Sequence, residues 1–419
     1  MKFNKWTLGL AAVGVVSLAS AARADEKMNA LQTALSNTTI SGYVSASFNW
    51  AISPGNYQNS PAGGIPFQGI QKENGFNLDV VKLSISKPQD ESPWASGYQV
   101  DLLFGPDAVG YNPSANGTFN GYYSGYSDFA IKQAYIALRT PVGNGIDWKF
   151  GVFDSPLGYE VFDAGSNPNY TRSWGYAVEP TEMTGVLASY KINDEFSVSA
   201  GIANTLMAGI NQRSFDFHPE YVTRDWNKAY MGSLTYVAPS SWGWAAGSSI
   251  YAGIVYGFDG GSSPGDTGYY QNGNQMNVYA GSTMNTPWKE LTAGIAFDYV
   301  HNYLGGATFS GDRLYNDVTV IGLYATYKAT DKLSLSGRGE YIHGQFNEND
   351  FGTPFGYSSE AWELTGTLEY DLWANVVSRL EVRWDQTGSV NTPESVYYDN
   401  DTLAHKYSVG LYANVIYKF

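Results

Sequence analysis

Residues 376–386 read VVSRLEVRWDQ, and the chain ends with YSVGLYANVIYKF at residues 407–419. In both stretches apolar and polar residues alternate with a period of two, which predicts β-strands with one apolar and one polar face. The polar face of the first stretch is charged and carries Arg379, Glu381, Arg383 and Asp385. Each charge would cost up to about 4 kcal/mol if it faced lipid at the middle of a bilayer. We therefore expect the apolar face to meet lipid and the charged face to meet a hydrated interior or other charges.

The final strand has the same two faces and ends on an aromatic residue. Tyr407 and Tyr417 lie near its two ends on the apolar face, where aromatic girdles mark the two interfaces of membrane barrels. A last strand that finishes with a residue such as Phe419 also resembles the signal that outer-membrane barrels present to their assembly machinery. The sequence thus predicts two partners, the outer-membrane lipid and the barrel assembly machinery.

Alternation with a period of two extends back to Ile40, in segments long enough for tilted strands to cross a membrane. Short and long connections between these segments alternate strictly, as in a barrel with short periplasmic turns and long extracellular loops. The predicted fold class is all-β, a transmembrane antiparallel up-and-down β-barrel of about 16 strands. A barrel of about 14 or 18 strands is the alternative, because Asn169–Val178 either pairs into the barrel or lies inside it. One predicted strand spans Trp244–Phe258.

The third long loop, Asp154–Thr181, is the longest of these connections, and long structured loops are usually functional. We expect part of it to fold into the lumen. Neighbouring strands point further charges inward, among them Arg338 and Glu340. Because polar residues face inward on many strands, the pattern favours a water-filled channel over a small barrel packed with side chains.

The N-terminus has the layout of a secretory signal. Lys2 and Lys5 precede an apolar run, and the small-residue exit ends at Ala24. The predicted organisation is a signal peptide at 1–24, a short periplasmic segment at 25–39 and an outer-membrane barrel at 40–419. Met28, Leu31 and Leu35 are spaced for a short helix, and a frayed end is the alternative. The predicted location is the outer membrane of a Gram-negative-type bacterium.

Composition supports the strand assignment. The chain has 33 Tyr, 20 Phe, 12 Trp and 47 Gly, and it has no Cys. Aromatic residues favour strands, and glycine-rich segments favour turns. Removal of Lys2, Lys5 and Arg23 with the signal changes the net charge from −15 to −18. Nucleic acid is therefore excluded as a partner, and the acidic residues either favour cations in a pore or solvate outer loops.

Signatures of enzyme chemistry are absent from the sequence. The four histidines, His218, His301, His343 and His405, lie far apart and lack metal-ligand spacing. Nucleophile-elbow and phosphate-loop motifs are missing as well. We predict that the chain is not an enzyme and needs no cofactor or metal. The segment 259–273 is either a calcium-binding loop or a flexible one.

The most distinctive stretch is Phe129–Thr205, with KQAYIAL, WKFGVFDSPLGYE, NPNYTRS and EPTEMTG in order. It resembles the outer-membrane beta-barrel porin-2, OmpL-like, family, and looser similarity extends over nearly the whole mature chain. The resemblance implies an outer-membrane barrel with pore activity and names no solute. The residues that match the loop motif are Glu160, Asn169, Tyr170, Arg172 and Ser173. A purely structural interpretation is that Arg172 ties the loop to the wall by pairing with Glu160 or Asp163.

The sequence thus predicts a porin for passive diffusion of small hydrophilic solutes or ions, with a homotrimer as its expected assembly. The alternative is a surface receptor or adhesin that acts through its long loops. Charged groups set ion preference at a constriction, and the residues predicted to line it are Glu160, Arg172, Arg338, Glu340, Arg379, Glu381, Arg383 and Asp385.

Overall fold

The computed structural model describes residues 31–32, 38–53, 72, 74–111, 128–206, 208–211, 213, 215–216, 222–223, 226–258, 274–302, 317–345, 360–388, 397–398, 404–405 and 407–419. Its main feature is a closed antiparallel barrel of sixteen strands. The strands are β1 Thr39–Ser53, β2 Gly75–Lys87, β3 Ser96–Phe104, β4 Phe129–Thr140, β5 Ile146–Asp154, β6 Glu182–Lys191, β7 Phe196–Ala203, β8 Ala229–Val237, β9 Ser249–Phe258, β10 Asn274–Asn285, β11 Leu291–His301, β12 Asp317–Lys328, β13 Leu333–Gln345, β14 Glu360–Trp373, β15 Val376–Thr387 and β16 Tyr407–Lys418.

Each strand pairs with the next strand in the sequence, and β16 closes the ring by pairing with β1. The closing register runs from Tyr43 opposite Lys418 to Ser53 opposite Val409. Gly42 and Phe419 exchange two backbone hydrogen bonds of 2.9 Å, so the last residue is part of the seam. Closure leaves no unpaired edge in the barrel sheet, and the prediction of sixteen strands is confirmed.

The two faces of the wall match the predicted alternation. Leu380 is 62% exposed on the outside of β15, whereas Arg383 on the inside is 0% exposed. Exposed aromatic residues form one belt beside the short turns and another beside the long loops. The first belt includes Trp94, Trp288, Trp373 and Tyr417, and the second includes Trp50, Phe76, Tyr230 and Tyr256.

Two of the four register irregularities in the described barrel are β-bulges that turn extra charged residues inward. In β2 the register with β1 skips Asp79, because Val80 lies opposite Ser45 and Leu78 lies opposite Ala46. In β4 the register with β3 skips Lys132 in the same way. Asp79 and Lys132 are consequently buried inside the barrel.

The chain outside the barrel strands forms short elements. Leu31–Gln32 pairs with Thr39 and Ile40 as a two-residue strand, so these residues do not take the helical alternative. Two small hairpins, Phe215–Asp216 with Val222–Thr223 and Tyr397–Tyr398 with Ala404–His405, lie in long loops. The signal segment and Met28 lie outside the described residues.

Four short helical segments complete the described structure. They are the 3₁₀ segments Pro106–Tyr111, Ala164–Ser166 and Ser240–Ala245 and the helix α1, Trp174–Val178. The predicted strand at Trp244 was wrong at its start, because residues 240–245 form a 3₁₀ turn with Gly243 at φ 62° and β9 begins at Ser249. Among the described residues, no helix is both long and apolar enough to cross a membrane.

Candidate functional site

The third long loop, residues 155–181, contacts inward-facing side chains of the barrel wall along its length, and we call it the inner loop. Asn169–Val178 does not pair into the barrel, since Trp174–Val178 is helix α1 and Asn169 and Tyr170 bond to wall residues. The loop's residues are buried or half-buried throughout. Part of the third loop therefore folds into the barrel, as the sequence predicts.

Carboxylates of the wall accept hydrogen bonds from the backbone of the inner loop. The Glu381 carboxylate accepts from the backbone nitrogens of Tyr170 at 2.6 Å and Thr171 at 2.9 Å. Glu340 accepts from the backbone nitrogens of Trp174 at 2.8 Å and Gly175 at 3.2 Å, at the start of α1. These amides have no β-ladder of their own, so the wall supplies the acceptors that buried backbone requires.

Guanidinium groups of the wall donate to the carbonyls of the same loop. Arg338 donates to the Thr171 carbonyl at 2.7 Å, and Arg383 donates to the Arg172 carbonyl at 2.6 Å. Arg379 reaches the carbonyl oxygens of Ala164 at 2.7 Å and Asn167 at 2.9 Å. The strands β13–β15 thus pair with the loop through side chains, and charge-assisted hydrogen bonds of this kind are stronger than neutral ones.

The same guanidinium groups are neutralised by buried carboxylates. Arg338 pairs with Glu160 of the loop at 2.8 Å and with Glu363 of β14 at 3.1 Å. Arg383 pairs with Asp385 at 2.8 Å, and Arg379 with Glu369 at 2.8 Å. Buried charges persist only when they are paired and hydrogen-bonded. We call these side chains of β13–β15, together with Glu160, the anchor network.

Arg172 binds within the loop itself. Its guanidinium donates to the carbonyl oxygens of Phe162 and Tyr170, and its carbon lies 5.7 Å from the centre of the Tyr176 ring. The loop is anchored, but the purely structural interpretation assigns the pairing with Glu160 or Asp163 to Arg172, whereas these carboxylates pair with other cations. The wall cations that pair with Glu160 and Asp163 are Arg338 and Lys82.

Apolar clusters hold the inner loop against other parts of the wall. Leu157 belongs to a buried cluster with Phe153, Met183 and Leu187. Phe162 and Ala164 belong to a second cluster on β1–β4, β15 and β16, and Trp174 to a third on β11–β14. The loop is therefore fixed on several sides by apolar contacts as well as by charge.

The eight residues predicted to line a constriction are brought together at this loop. All of them are between 0% and 5% exposed, so they lie beneath or within the inner loop: Glu160, Arg172, Arg338, Glu340, Arg379, Glu381, Arg383 and Asp385. Their lining of a constriction stays a prediction. The sequence pattern places Glu363 and Glu369 on the inner face but did not assign them to the site. Asp79 was missed because of the β-bulge. Its carboxylate accepts hydrogen bonds from the hydroxyl groups of Ser45, Ser47 and Tyr170.

Two carboxyl groups meet between the loop and the wall. Glu179 of the loop lies close to Asp298 of β11, and neighbouring carboxyl groups disfavour each other's charged form. The pair also interacts electrostatically with Tyr279 of β10, Glu160 of the loop and Glu340 of β13. Burial is the main cause that raises the pKa of Glu179 well above its ordinary value, and the charge of Asp298 is the second.

This pair predicts that the inner loop loses stability at high pH. A free glutamate has a pKa of about 4.3, so above that value the released loop binds fewer protons than the docked loop. The stabilisation is complete below the ordinary pKa and is lost as the pH rises through the raised one. Hydrogen exchange at residues 174–178 is therefore expected to accelerate with pH beyond the intrinsic rate. Glu179→Gln should remove this excess acceleration of exchange. Glu91→Gln, which changes a carboxylate at an exposed turn, is the control and should keep it. An unchanged acceleration in Glu179→Gln would contradict the assignment.

Among the residues that the structure describes, no group of three or more His, Cys, Asp or Glu side chains is arranged to hold a metal ion. The segment 259–273, where calcium or flexibility were the alternatives, lies outside these residues. The arrangement that is described is a charged and hydrogen-bonded support for a loop inside a barrel.

Solved structures share this architecture. The outer membrane channel DcaP of Acinetobacter baumannii superimposes with a TM-score of 0.57 at 13% sequence identity, over 93% of this chain and 99% of that chain. An anion-selective porin from Comamonas acidovorans superimposes with a TM-score of 0.55 at 11% sequence identity, over 91% of this chain and 99% of that chain. The trimer form of OmpT of Vibrio cholerae superimposes with a TM-score of 0.52 at 12% sequence identity, over 91% of this chain and 99% of that chain. At these identities the likeness concerns the fold.

The sequence itself carries the family assignment. The sequence model of the beta-barrel porin-2, OmpL-like, family matches residues 37–419, which include every barrel strand. The match agrees with the motifs of residues 129–205 and with an outer-membrane location. The chain belongs to the beta-barrel porin-2, OmpL-like, family of outer-membrane proteins.

Proposed function

We propose that the protein is a passive porin in which the inner loop narrows a water-filled barrel through which small hydrophilic solutes or ions diffuse. The observation that supports this most is the anchoring of residues 160–175 to β13–β15 by buried charges. A loop that is merely a connection has no need of such support. A loop that must keep a constant cross-section does need it, because its position sets which solutes pass.

The proposal includes no catalytic step, since the anchor network uses its charges to hold the loop. It also includes assembly as a homotrimer, for which the trimer form of the OmpT neighbour is the supporting observation. The receptor or adhesin alternative depends on outer loops, most of whose residues lie outside the described ones. It stays a prediction.

Swelling of liposomes tests the proposed diffusion. Vesicles that contain the folded protein are diluted into isotonic solutions of arabinose, glucose, sucrose and raffinose. We expect swelling rates that fall steeply with the size of the sugar, because a fixed loop sieves by size. Vesicles with heat-unfolded protein are the control. Swelling equal to that of the control for every sugar would contradict passive diffusion.

A further inference from the structure

The charged residues inside the barrel differ in their contact with water. Those of the anchor network are at most 5% exposed, because the inner loop covers them. Two carboxylates on the side of β2–β5 keep more contact. The side chain of Asp154, at the end of β5, is 25% exposed, and that of Asp163, in the loop, is 37% exposed. An ion inside the barrel can approach these two groups directly, whereas the covered charges act on it only from a distance.

The partners of Asp163 place its carboxylate inside the barrel. It accepts hydrogen bonds from the Tyr43 hydroxyl at 3.2 Å and from the Lys82 ammonium at 2.9 Å. Tyr43 of β1 lies opposite Lys82 of β2 in the register, and both are buried. Because both side chains reach the inner loop, they point inward. The water that contacts Asp163 is therefore water of the lumen.

The lysines that pair with these carboxylates are buried more deeply than the carboxylates themselves. The Lys82 side chain, which pairs with Asp163 and lies 3.2 Å from Asp101, is 10% exposed. The Lys132 side chain, which pairs with Asp154, is 2% exposed. In both pairs the carboxylate oxygens face the water and the ammonium lies behind them. A mobile ion therefore approaches the negative member of each pair more closely than the positive one.

Two further lysines point inward on neighbouring strands. The Lys149 nitrogen of β5 is buried and lies 4.9 Å from the centre of the Tyr135 ring, so its charge is also withdrawn from the water. Lys418 of β16 is half-buried and lies beside Gly165 of the loop. Lys418 is therefore the lysine whose charge most directly opposes that of Asp163.

The covered charges add a field of the same sign. Among the residues that the structure describes, ten Asp and Glu side chains are buried, against seven Lys and Arg side chains. Charges in low-dielectric walls act over longer distances than charges in water, and a lumen with an excess of one sign concentrates ions of the other sign. The exposed and the covered charges thus both favour cations inside the barrel.

We propose that Asp154 and Asp163 are specificity-determining residues that make the pore selective for small cations, such as alkali metal ions and short protonated amines. The exposed carboxylates stabilise a passing cation and repel an anion, as charged side chains do in other cation channels. The proposal rests on the proposed porin function and names the class of solute that this function favours. The anchor network keeps its separate role of holding the loop.

The reversal potential of single channels in a KCl gradient tests the selectivity. Concentrations of about 0.1 M or below are used, because the fields of charges then extend over about 10 Å or more. We expect the wild type to favour K⁺ over Cl⁻. A unit charge about 4 Å from an ion changes the occupancy of that ion about fivefold in water. Asp163→Asn should therefore lower the permeability ratio of K⁺ to Cl⁻ by about two- to fivefold. Asp154→Asn should lower it too, and it provides the same test if the first variant does not fold.

Further variants separate the effect of charge from a displaced loop. Asp163→Glu keeps the charge and should keep the permeability ratio. Lys418→Gln removes an opposing charge and should raise the ratio. The conductance of Asp163→Asn should stay close to that of the wild type, whereas a displaced loop would change it. Asp194→Asn is the matched control, because it breaks an Asp–Lys pair of 2.7 Å at an exposed short turn, and it should leave the ratio unchanged.

The outcomes distinguish this proposal from the porin function on which it rests. Wild-type channels that carry current but favour Cl⁻, or favour neither ion, would overturn the cation selectivity and leave the porin function standing. Cation preference with an unchanged ratio in both Asp163→Asn and Asp154→Asn would overturn the assignment to these residues. A folded barrel that carries no current would refute the porin function and the selectivity together.

Discussion

Arg338→Met is expected to destabilise the docked inner loop by about 3–5 kcal/mol, which is the usual cost of removing one partner from a buried ion pair. Arg338 is 2% exposed, pairs with Glu160 and Glu363, and donates to the Thr171 carbonyl. Without it, two buried carboxylates lose their cation. Hydrogen exchange at the amides of 170–176 should accelerate strongly, and channel currents should become noisier.

Matched variants separate this effect from a general loss of charge. Arg139→Met removes an arginine that pairs with Asp147 at 2.8 Å near a short turn, and the inner loop should stay protected. Combining Arg338→Met with Glu363→Gln should recover part of the lost stability, because one unpaired charge is removed. Unchanged exchange in Arg338→Met would contradict the anchoring role of the network.

A channel in which residues 161–178 are replaced by a short glycine-serine linker is expected to conduct several times more current than the wild type. The replaced segment contains most of the backbone that the anchor network holds. Because the sixteen strands pair with one another and not through this loop, the barrel should still close. The measurement is single-channel conductance in a planar bilayer.

The shortened channel should also prefer cations. Removal of the loop exposes the wall charges of β13–β15, which are Arg338, Arg379, Arg383, Glu340, Glu363, Glu369, Glu381 and Asp385. Carboxylates outnumber guanidinium groups in this set, so a cation-directed shift of the reversal potential is expected. A variant in which the segment 389–396 of the last long loop is replaced by the same kind of linker is the control. Equal conductance in the shortened channel and the wild type would show that the inner loop does not limit the pore.

The barrel could be predicted closely from the sequence because lipid imposes a strict rule on strands. Leu364 and Leu380 must face hydrocarbon, so their neighbours Glu363 and Glu381 must face inward. That rule determines which residues of each strand face inward. It breaks where a β-bulge adds a residue, which is why Asp79 and Lys132 could not be assigned to the interior.

The site could be predicted only in part. Alternation shows that Arg383 and Glu381 face inward, but it does not show what they meet there. Their partners are backbone groups of Tyr170, Thr171 and Arg172, more than two hundred residues earlier in the sequence, and backbone groups leave no trace in residue type. The sequence therefore suggested charges facing water, whereas the structure places them against the inner loop.

Single-channel recording of the purified, folded protein in a planar bilayer with a salt gradient tests the porin proposal most directly. We predict stable current steps with a nonzero reversal potential, because a charged and fixed interior distinguishes cations from anions. A correctly folded, heat-modifiable barrel that carries no current would contradict the proposal and would favour a receptor or adhesin.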